Sequence, residues 1–278
     1  MSKRILIVDD DPDIHRLLLA ALEAPGRQIE TASDGPEGLE RVTAAPYDLV
    51  ITDVNMPGLD GLAVLERIHA IRPGTRVMVM TVANTPENII GAIRQRAFSY
   101  FSKPFTIQAV SEAVASALNS SAGHDDIEIL SAAPNWLSLR VPCKLETADR
   151  ILQFMREMYA GVSATERDQL ATAFREILLN AIEHGGGSDP QKKVIIAYLR
   201  MQRAVLYYVR DPGKGFSREN LAHAAVSNPS DSPFEHAEVR EQLGLRPGGF
   251  GIFMTRQLVD ELLYNEAGNE VLLVKYLQ

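Results

Sequence analysis

Short apolar runs alternate with amphipathic stretches over residues 3–118, and this alternation limits the possible folds more than any other feature of the chain. The apolar runs predict strands at 4–8, 28–32, 47–52, 76–80 and 98–101. The stretches between them predict helices at 12–24, 35–44, 61–71, 86–95 and 106–118. Such alternation is typical of a parallel sheet with helices on both faces. We therefore predict a doubly wound, five-stranded α/β domain.

Polar side chains stand where these apolar runs end. Asp9 and Asp10 follow the first run, Asp53 the third, Thr81 the fourth and Lys103 the fifth. Because ligands of such sheets bind beyond the carboxyl ends of the strands, we expect these side chains to cluster at one edge of the sheet.

Carboxylates crowded at one edge repel one another and favour a bound cation. Mg²⁺ takes one or two protein carboxylates together with phosphate oxygens and water. We predict that Asp10, Asp53 and the Asn55 carbonyl bind Mg²⁺ directly and that Asp9 does so through water. Asp53 would be the nucleophile that accepts a phosphoryl group.

These positions resemble the response-regulator receiver domain, which has a flavodoxin-like fold, over about residues 1–120. The resemblance also includes Met56-Pro57-Gly58, Tyr100 and Lys103-Pro104. It implies phosphorylation of Asp53 by an upstream sensor histidine kinase. It further implies that Lys103 pairs with the phosphoryl group, that Thr81 donates to it, and that Thr81 and Tyr100 form a switch. Two alternatives are that the aspartates only cap helices or turns, and that the fold no longer takes phosphate.

The second half has a different pattern, which predicts an α+β domain at 136–278 after a linker at 121–135. Polar and acidic residues, including Asp125 and Asp126, begin the linker. The patterns predict strands at 136–141, 193–201, 204–210 and 269–277, and helices at 144–159, 164–184 and 251–263. The long irregular segment 212–248 is more than a compact fold needs, so we expect it to be functional.

Three motifs in this half favour nucleotide binding. Glu176 and Asn180 share one face of the predicted helix, where a carboxylate could activate a hydroxyl and an amide oxygen could bind Mg²⁺. Asp211, with Gly213 and Gly215, follows a strand and could accept a hydrogen bond from an adenine amino group. Glycines at a helix N-terminus, here Gly249 and Gly251, form an anion site.

Together these motifs resemble the ATPase superfamily of gyrase and histidine kinases, and within it the anti-sigma-factor serine kinases. The resemblance predicts a two-layer α+β sandwich that binds ATP, with Glu176 as catalytic base, Asn180 as Mg²⁺ ligand and Asp211 as adenine reader. Residues 216–248 would be the ATP lid. The partner would be an anti-anti-sigma protein or a sigma factor, and the protein could form a homodimer.

Three alternatives to the kinase remain open. ATP could shape a module that sequesters a partner without phosphotransfer, the phosphoryl group could go to a histidine on another protein, or the half could bind no nucleotide. Histidine-kinase activity is disfavoured because residues 119–143 leave no room for a dimerisation hairpin carrying a phosphoacceptor histidine.

The composition of the chain argues against several other classes of protein. Apolar residues make up 46% of the 278, which is enough for packed cores. The net charge of −8 and the absence of a basic stripe argue against direct DNA binding. Cys143 is the only cysteine, so an intrachain disulfide cannot form. No apolar run reaches membrane-spanning length, and we expect a cytoplasmic protein.

Overall fold

The computed structural model describes residues 2–119, 127–159, 161–215 and 251–278. The chain divides into two compact units, residues 1–125 and residues 126–278. Each unit is built around one sheet of its own. Among the described residues, no helix is both long enough and apolar enough to cross a membrane.

The sheet of the first unit has five parallel strands in the order β2-β1-β3-β4-β5. Its strands are β1 (Lys3–Val8), β2 (Arg27–Ala32), β3 (Leu49–Asp53), β4 (Arg76–Thr81) and β5 (Ser99–Ser102). Strand β2 lies on one side of β1 and β3 lies on the other, so the direction of the strand order reverses at β1. Ligands of open α/β sheets bind at this point of reversal. Asp9 directly follows β1, and Asp53 ends β3.

Five helices connect and cover these strands. They are α1 (Pro12–Leu22), α2 (Gly35–Ala44), α3 (Gly61–Ile71), α4 (Pro86–Arg94) and α5 (Ile107–Asn119). The first four each begin at a side chain that accepts a hydrogen bond from the first turn: Asp11, Asp34, Asp60 and Thr85. Such caps satisfy backbone donors that have no partner within the helix.

The core of the first unit lies on both faces of the sheet. On one face, α1 and α5 bury Leu18, Leu22 and Val114 against β1, β3, β4 and β5. On the other face α2 lies directly on β1, since a Cβ atom at Gly38 would stand 2.9 Å from Cγ2 of Val8. Strand β3 is buried along its whole length. The predicted doubly wound α/β fold is confirmed.

The second unit has a six-stranded antiparallel sheet in the order β10-β11-β9-β8-β7-β6. Its strands are β6 (Glu128–Ala133), β7 (Trp136–Pro142), β8 (Lys193–Met201), β9 (Ala204–Arg210), β10 (Glu261–Tyr264) and β11 (Glu270–Tyr276). The predicted hairpin of β8 and β9 is present. The described helices are α6 (Leu145–Glu157), α7 (Ala164–Asn180) and α8 (Gly251–Leu258). This arrangement confirms the predicted α+β fold class.

Aromatic side chains join α7 to the sheet. The rings of Phe174 and Tyr207 stack with centroids 4.1 Å apart. The hydroxyl of Tyr207 donates to the hydroxyl of Tyr159 over 2.7 Å, and that of Tyr198 donates to the Met158 carbonyl over 3.0 Å. Burying a hydroxyl group costs free energy unless it forms a hydrogen bond, so these bonds offset the cost of burying the tyrosine hydroxyl groups.

Three parts of the second unit differ from the sequence-based prediction. Strand β6 lies inside the predicted linker 121–135, because its backbone finds hydrogen bonds on β7. The predicted helix 251–263 was wrong after Leu258, where β10 pairs with β11 instead. The predicted helix 164–184 is α-helical only to Asn180 and continues as a π-helical turn, Ala181–Gly185. The predicted lid, 216–248, lies outside the described residues.

Candidate functional site

Three carboxylates meet at the carboxyl edge of the first sheet. Asp9, Asp10 and Asp53 each offer an oxygen, and these oxygens lie within 4.8 Å of one another. Lys103, which follows β5, reaches the same point. Its Nζ donates to Oδ2 of Asp9 and to Oδ2 of Asp53, both over 2.8 Å. The fold therefore brings together four side chains that each stand at the end of a strand.

Burial controls the electrostatics of this cluster. It raises the pKa of Asp9, against the hydrogen bond from Lys103 and the backbone N–H of Asp11. Burial opposes the charged form of Lys103 as well, but its hydrogen bonds to Asp53 and Asp9 outweigh this, and its pKa is raised. Two carboxylates therefore hold one ammonium group. Oxygen donors of this kind fit Mg²⁺, which would take Asp9, Asp10 and Asp53 from this set.

Thr81 is held close to the candidate phosphoacceptor. Its Oγ1 accepts from Nδ2 of Asn55 over 2.7 Å and from the backbone N–H of Ala83 over 3.0 Å. The backbone N–H of Asn55 in turn donates to Oδ1 of Asp53 over 3.3 Å. Because both described bonds use Thr81 as an acceptor, its hydroxyl proton can be donated elsewhere. Tyr100 is fully buried on β5, and its role as a switch with Thr81 stays a prediction.

Gly61 was not identified from the sequence, although it shapes the phosphoacceptor strand. A Cβ atom there would lie 1.9 Å from the carbonyl oxygen of Asp53. The N–H of Gly61 donates to the Val54 carbonyl over 3.0 Å, which fastens the start of α3 to the end of β3. Only a glycine allows this close approach of two backbones.

The second cluster lies where α7 meets the start of α8. Glu176 and Asn180 stand one turn apart on α7. A Cβ atom at Gly251 would lie 2.7 Å from Oε2 of Glu176 and 3.7 Å from Nδ2 of Asn180. Nη1 of Arg175 is 3.6 Å from Oε1 of Glu176. The structure thus brings together Glu176, Asn180 and Gly251, while Gly249 lies outside the described residues.

Asp211 stands after β9 and faces the end of the π-helical turn. Its Oδ1 accepts from the N–H of Gly213 over 2.8 Å. Burial raises the pKa of Asp211, and the hydrogen bond from Gly213 opposes the shift. Gly185, the last residue of the π turn, lies against this carboxyl group. Sequence reasoning missed the role of Gly185, and the close packing of two segments far apart in the chain gives no local signal.

Gly215 allows the loop after β9 to pack closely against the turn between β10 and β11. Its φ of +76° is in the left-handed region, and a Cβ atom there would lie 1.8 Å from the Ala267 carbonyl oxygen. Asn269 holds the same loop, since its backbone oxygen accepts from the N–H of Asp211 over 3.0 Å. Its Nδ2 also donates to the Gly213 carbonyl over 3.4 Å. These contacts fix the position of Asp211.

Comparison with known proteins matches each half of the chain to a domain family. The sequence profile of the response regulator receiver domain matches residues 5–115, and that of the histidine kinase-like ATPase domain matches residues 141–275. The chain is 36% identical over 114 residues to sporulation initiation phosphotransferase F of Bacillus subtilis (strain 168), covering 92% of that protein and 41% of this chain. The chain belongs to the response regulator receiver family. Its second unit is a histidine kinase-like ATPase domain.

Other relatives of this response regulator match it in part. Transcriptional regulatory protein GlrR of Escherichia coli (strain K12) is 34% identical over 174 residues, which is 61% of this chain but 38% of that protein. The chain thus spans well under half the length of that relative. A solved CheY-like receiver domain from Methanospirillum hungatei JF-1 is 31% identical, with a TM-score of 0.42, and the match covers 43% of this chain and 95% of that one.

Family membership carries three implications for this response regulator. Its receiver domain implies phosphorylation by an upstream histidine kinase. Receiver domains bind Mg²⁺ through acidic residues, and Asp9, Asp10 and Asp53 supply such residues here. The ATPase domain implies binding of ATP.

Proposed function

We propose that this response regulator controls a serine/threonine protein kinase, and that phosphorylation of Asp53 in the receiver domain sets the activity of the ATPase domain. The kinase would use ATP and Mg²⁺ to phosphorylate an anti-anti-sigma protein, or would hold a sigma factor directly. Regulation of transcription would then act through a protein partner and not through direct DNA binding. The protein would work alone or as a homodimer.

The arrangement of Glu176, Asn180 and Gly251 carries the proposal. A carboxylate and a carboxamide lie one helical turn apart, and both approach the first residue of α8. The side chain of Glu176 keeps 32% of its exposure, so a substrate hydroxyl can reach it. A general base must come within hydrogen-bond reach of the proton that it takes. In this reading Glu176 takes the proton of a serine or threonine hydroxyl as its oxygen attacks the γ-phosphorus of ATP and ADP leaves.

Two further elements of the ATPase domain support nucleotide binding. Asn180 would offer its amide oxygen to the Mg²⁺ that accompanies the phosphates of ATP. Gly251 begins α8, and free N–H groups at a helix N-terminus favour phosphate oxygens. Gly249 is proposed for the same role. Asp211, with Gly213 and Gly215 in the same loop, would accept from the amino group of adenine.

In the receiver domain the proposed phosphoacceptor is Asp53. Its carboxylate oxygen would attack the phosphorus of the upstream kinase's phosphohistidine, and the bond from that phosphorus to the histidine nitrogen would break. Asp9, Asp10, Asp53 and the Asn55 carbonyl would hold Mg²⁺. Lys103 already donates to Asp53, so it is placed to pair with the new phosphoryl oxygens. Thr81 has a hydroxyl proton to donate to the same group. Tyr100, on the neighbouring strand, would complete the switch.

The kinase proposal is tested by transfer of label from γ-labelled ATP, with Mg²⁺, to an anti-anti-sigma protein. We expect acid-stable label on a serine or threonine of the partner, and we expect its loss in Glu176→Gln. Glu183→Gln is the matched control, because Glu183 is exposed and lies seven residues further along the same helical segment. Equal transfer by wild type and Glu176→Gln would refute the assignment of the base.

The remaining alternatives give different results in the same experiment. Binding of ATP and partner without transfer, unchanged in Glu176→Gln, would indicate sequestration. Acid-labile label on the partner would indicate phosphohistidine. The coupling is tested by adding a small phosphodonor: its effect on transfer should vanish in Asp53→Ala and persist in Asp13→Asn, which changes an exposed carboxylate on α1. A donor effect that survives Asp53→Ala would refute the coupling.

A further inference from the structure

Gly185 ends the π-helical turn after α7 in direct contact with Asp211. A Cβ atom at Gly185 would lie 2.3 Å from Cγ, 2.4 Å from Cβ and 2.4 Å from Oδ1 of Asp211. Atoms of two residues do not approach this closely, so any side chain at this position would force Asp211 to move. The contact joins the helical segment that carries Glu176 and Asn180 to the loop that carries Asp211.

Gly213 also packs against Oδ1 of Asp211. Its N–H donates to Oδ1 of Asp211 over 2.8 Å, and a Cβ atom at Gly213 would lie 2.8 Å from that oxygen. The same Cβ atom would stand 2.9 Å from the carbonyl oxygen of Gly185. Oδ1 is therefore held between two glycine backbones from different parts of the chain. Among the described residues, no hydrogen bond involves Oδ2.

Position 185 requires a glycine because there is no room for a Cβ atom, and not because of its backbone conformation. Gly187, two residues later, has a φ of +67°, a backbone conformation that favours glycine because glycine has no Cβ atom. Gly185 is not among the residues with a positive φ. An alanine could adopt its backbone angles, but the methyl group would occupy the place of the Asp211 carboxyl group. Position 185 is thus coupled to position 211 through packing alone.

We propose that Gly185 is a positioning residue for base recognition: it fixes Oδ1 of Asp211 so that Oδ2 accepts a hydrogen bond from the exocyclic amino group of adenine. Gly185 itself does not touch the nucleotide. This inference rests on the proposed binding of ATP, and it adds that selectivity for a 6-amino purine depends on the π turn. A purine without that amino group has no proton to donate to Oδ2.

The strength of the hydrogen bond from adenine to Asp211 sets the size of the expected effect. A hydrogen bond to a charged acceptor corresponds to about ten- to a hundredfold in affinity. Wild-type protein should therefore bind ATP more tightly than purine riboside 5′-triphosphate by about that factor. In Gly185→Ala the displaced carboxylate no longer meets the amino group. The affinity for ATP should then fall to about that for purine riboside 5′-triphosphate, whose own affinity should change less than about threefold.

The test is isothermal titration of the full chain with both nucleotides in the presence of Mg²⁺. Loss of the preference for ATP in Gly185→Ala, with purine riboside 5′-triphosphate binding retained, would support the proposal. Equal weakening of both nucleotides would indicate general damage to the site and overturn it, and so would a preference kept in the variant. A wild-type protein that binds neither nucleotide would refute the proposed function itself. Binding of both without preference would refute base reading by Asp211.

A second variant serves if Gly185→Ala does not fold. Asp211→Gly removes Cγ, Cβ and Oδ1, which are the three atoms nearest to the added methyl group. The double variant Gly185→Ala/Asp211→Gly should therefore regain the circular dichroism spectrum of the folded protein. If it stays unfolded while Asp211→Gly alone folds, the contact between the two residues is not what requires glycine, and the proposal is overturned.

Discussion

The ammonium group of Lys103 donates a 2.8 Å hydrogen bond to Oδ2 of Asp53, although 50 residues separate the two along the chain. The same group donates to Asp9 over 2.8 Å. One cation thus compensates two carboxylates that are almost wholly buried. A divalent cation at this place has to compete with the lysine for the carboxylates.

Replacing Lys103 with methionine should strengthen Mg²⁺ binding and slow the phosphorylation of Asp53. The variant keeps the length of the side chain but removes a charge that repels the metal, and two charges at contact distance interact by about 1–4 kcal/mol. We expect about a tenfold gain in Mg²⁺ affinity by isothermal titration. Lys3→Met is the control, since Lys3 pairs with Asp48 at the surface over 2.8 Å. Unchanged or weaker binding in Lys103→Met would contradict the prediction.

Replacing Gly61 with alanine should destabilise the receiver domain by about 2–3 kcal/mol, because the methyl group would collide with the Asp53 carbonyl. Chemical denaturation followed by circular dichroism measures the change. Gly74→Ala is the matched control, because a Cβ atom there meets nothing within 4 Å. The free energy of unfolding of the control should stay within about 0.5 kcal/mol of wild type. Equal effects of the two substitutions would refute the proposed collision.

The ATPase domain should lose stability at alkaline pH. Burial raises the pKa of Tyr159 and Tyr207, and raises that of Tyr198 to about 12. An unfolded tyrosine ionises near 10.0, so the stabilising contribution is complete below that pH. As the pH rises from there through the folded pKa values, the unfolded state loses protons that the folded state retains, and the contribution disappears.

Denaturation at increasing pH, with the absorbance of tyrosinate as readout, tests this linkage. Wild type should show a group of tyrosines that ionise together with unfolding. Tyr207→Phe should remove part of this alkaline dependence, and it should also destabilise the neutral protein because Tyr159 loses its hydrogen-bond partner. Tyr276 is exposed, but its hydroxyl donates to Glu261 and this bond raises its pKa, so Tyr276→Phe should shift the midpoint of alkaline unfolding less than Tyr207→Phe does. Tyrosines that all ionise before unfolding would contradict the expectation.

Replacing Gly251 with alanine should weaken ATP binding by about tenfold and abolish phosphotransfer. The added Cβ atom would stand 2.7 Å from Oε2 of Glu176, so the carboxylate must move away from the start of α8. Affinity from nucleotide titration and transfer of labelled phosphate measure the two effects separately. Gly161→Ala serves as a control for strain, since Gly161 has a φ of +75° but open space for a Cβ atom. ATP affinity that is lower in the control than in Gly251→Ala would argue against the local clash.

The architecture of the receiver domain could be predicted from sequence because its signals are local. Each strand is an apolar run, and Asp11, Asp34, Asp60 and Thr85 mark the beginnings of four helices. Parallel strands separated by helices leave their carboxyl ends at one edge. The expected meeting of Asp9, Asp10 and Asp53 is therefore present in the structure. Their roles in metal binding and phosphorylation stay predictions.

The second unit was harder to predict because antiparallel pairing is decided between distant segments. Strand β10 carries apolar residues that fit a helix as well as a strand, and only its pairing with β11 selects the strand. Strand β6 is mostly exposed, so it lacks an alternating burial signal and was expected to be part of a linker. In both cases the hydrogen bonds of a neighbouring strand outweighed the local pattern.

The sequence by itself determined the order of the elements in the receiver domain, the two kinds of domain and the polar residues that stand at the ends of the receiver strands. Only the tertiary structure decided how closely these residues approach one another. The enclosure of Asp211 by Gly185 and Gly213, and the contact of Gly61 with the Asp53 carbonyl, depend on distances between segments that no periodicity records. Packing at near-crystalline density fixes such distances, and a single added methyl group is enough to change them.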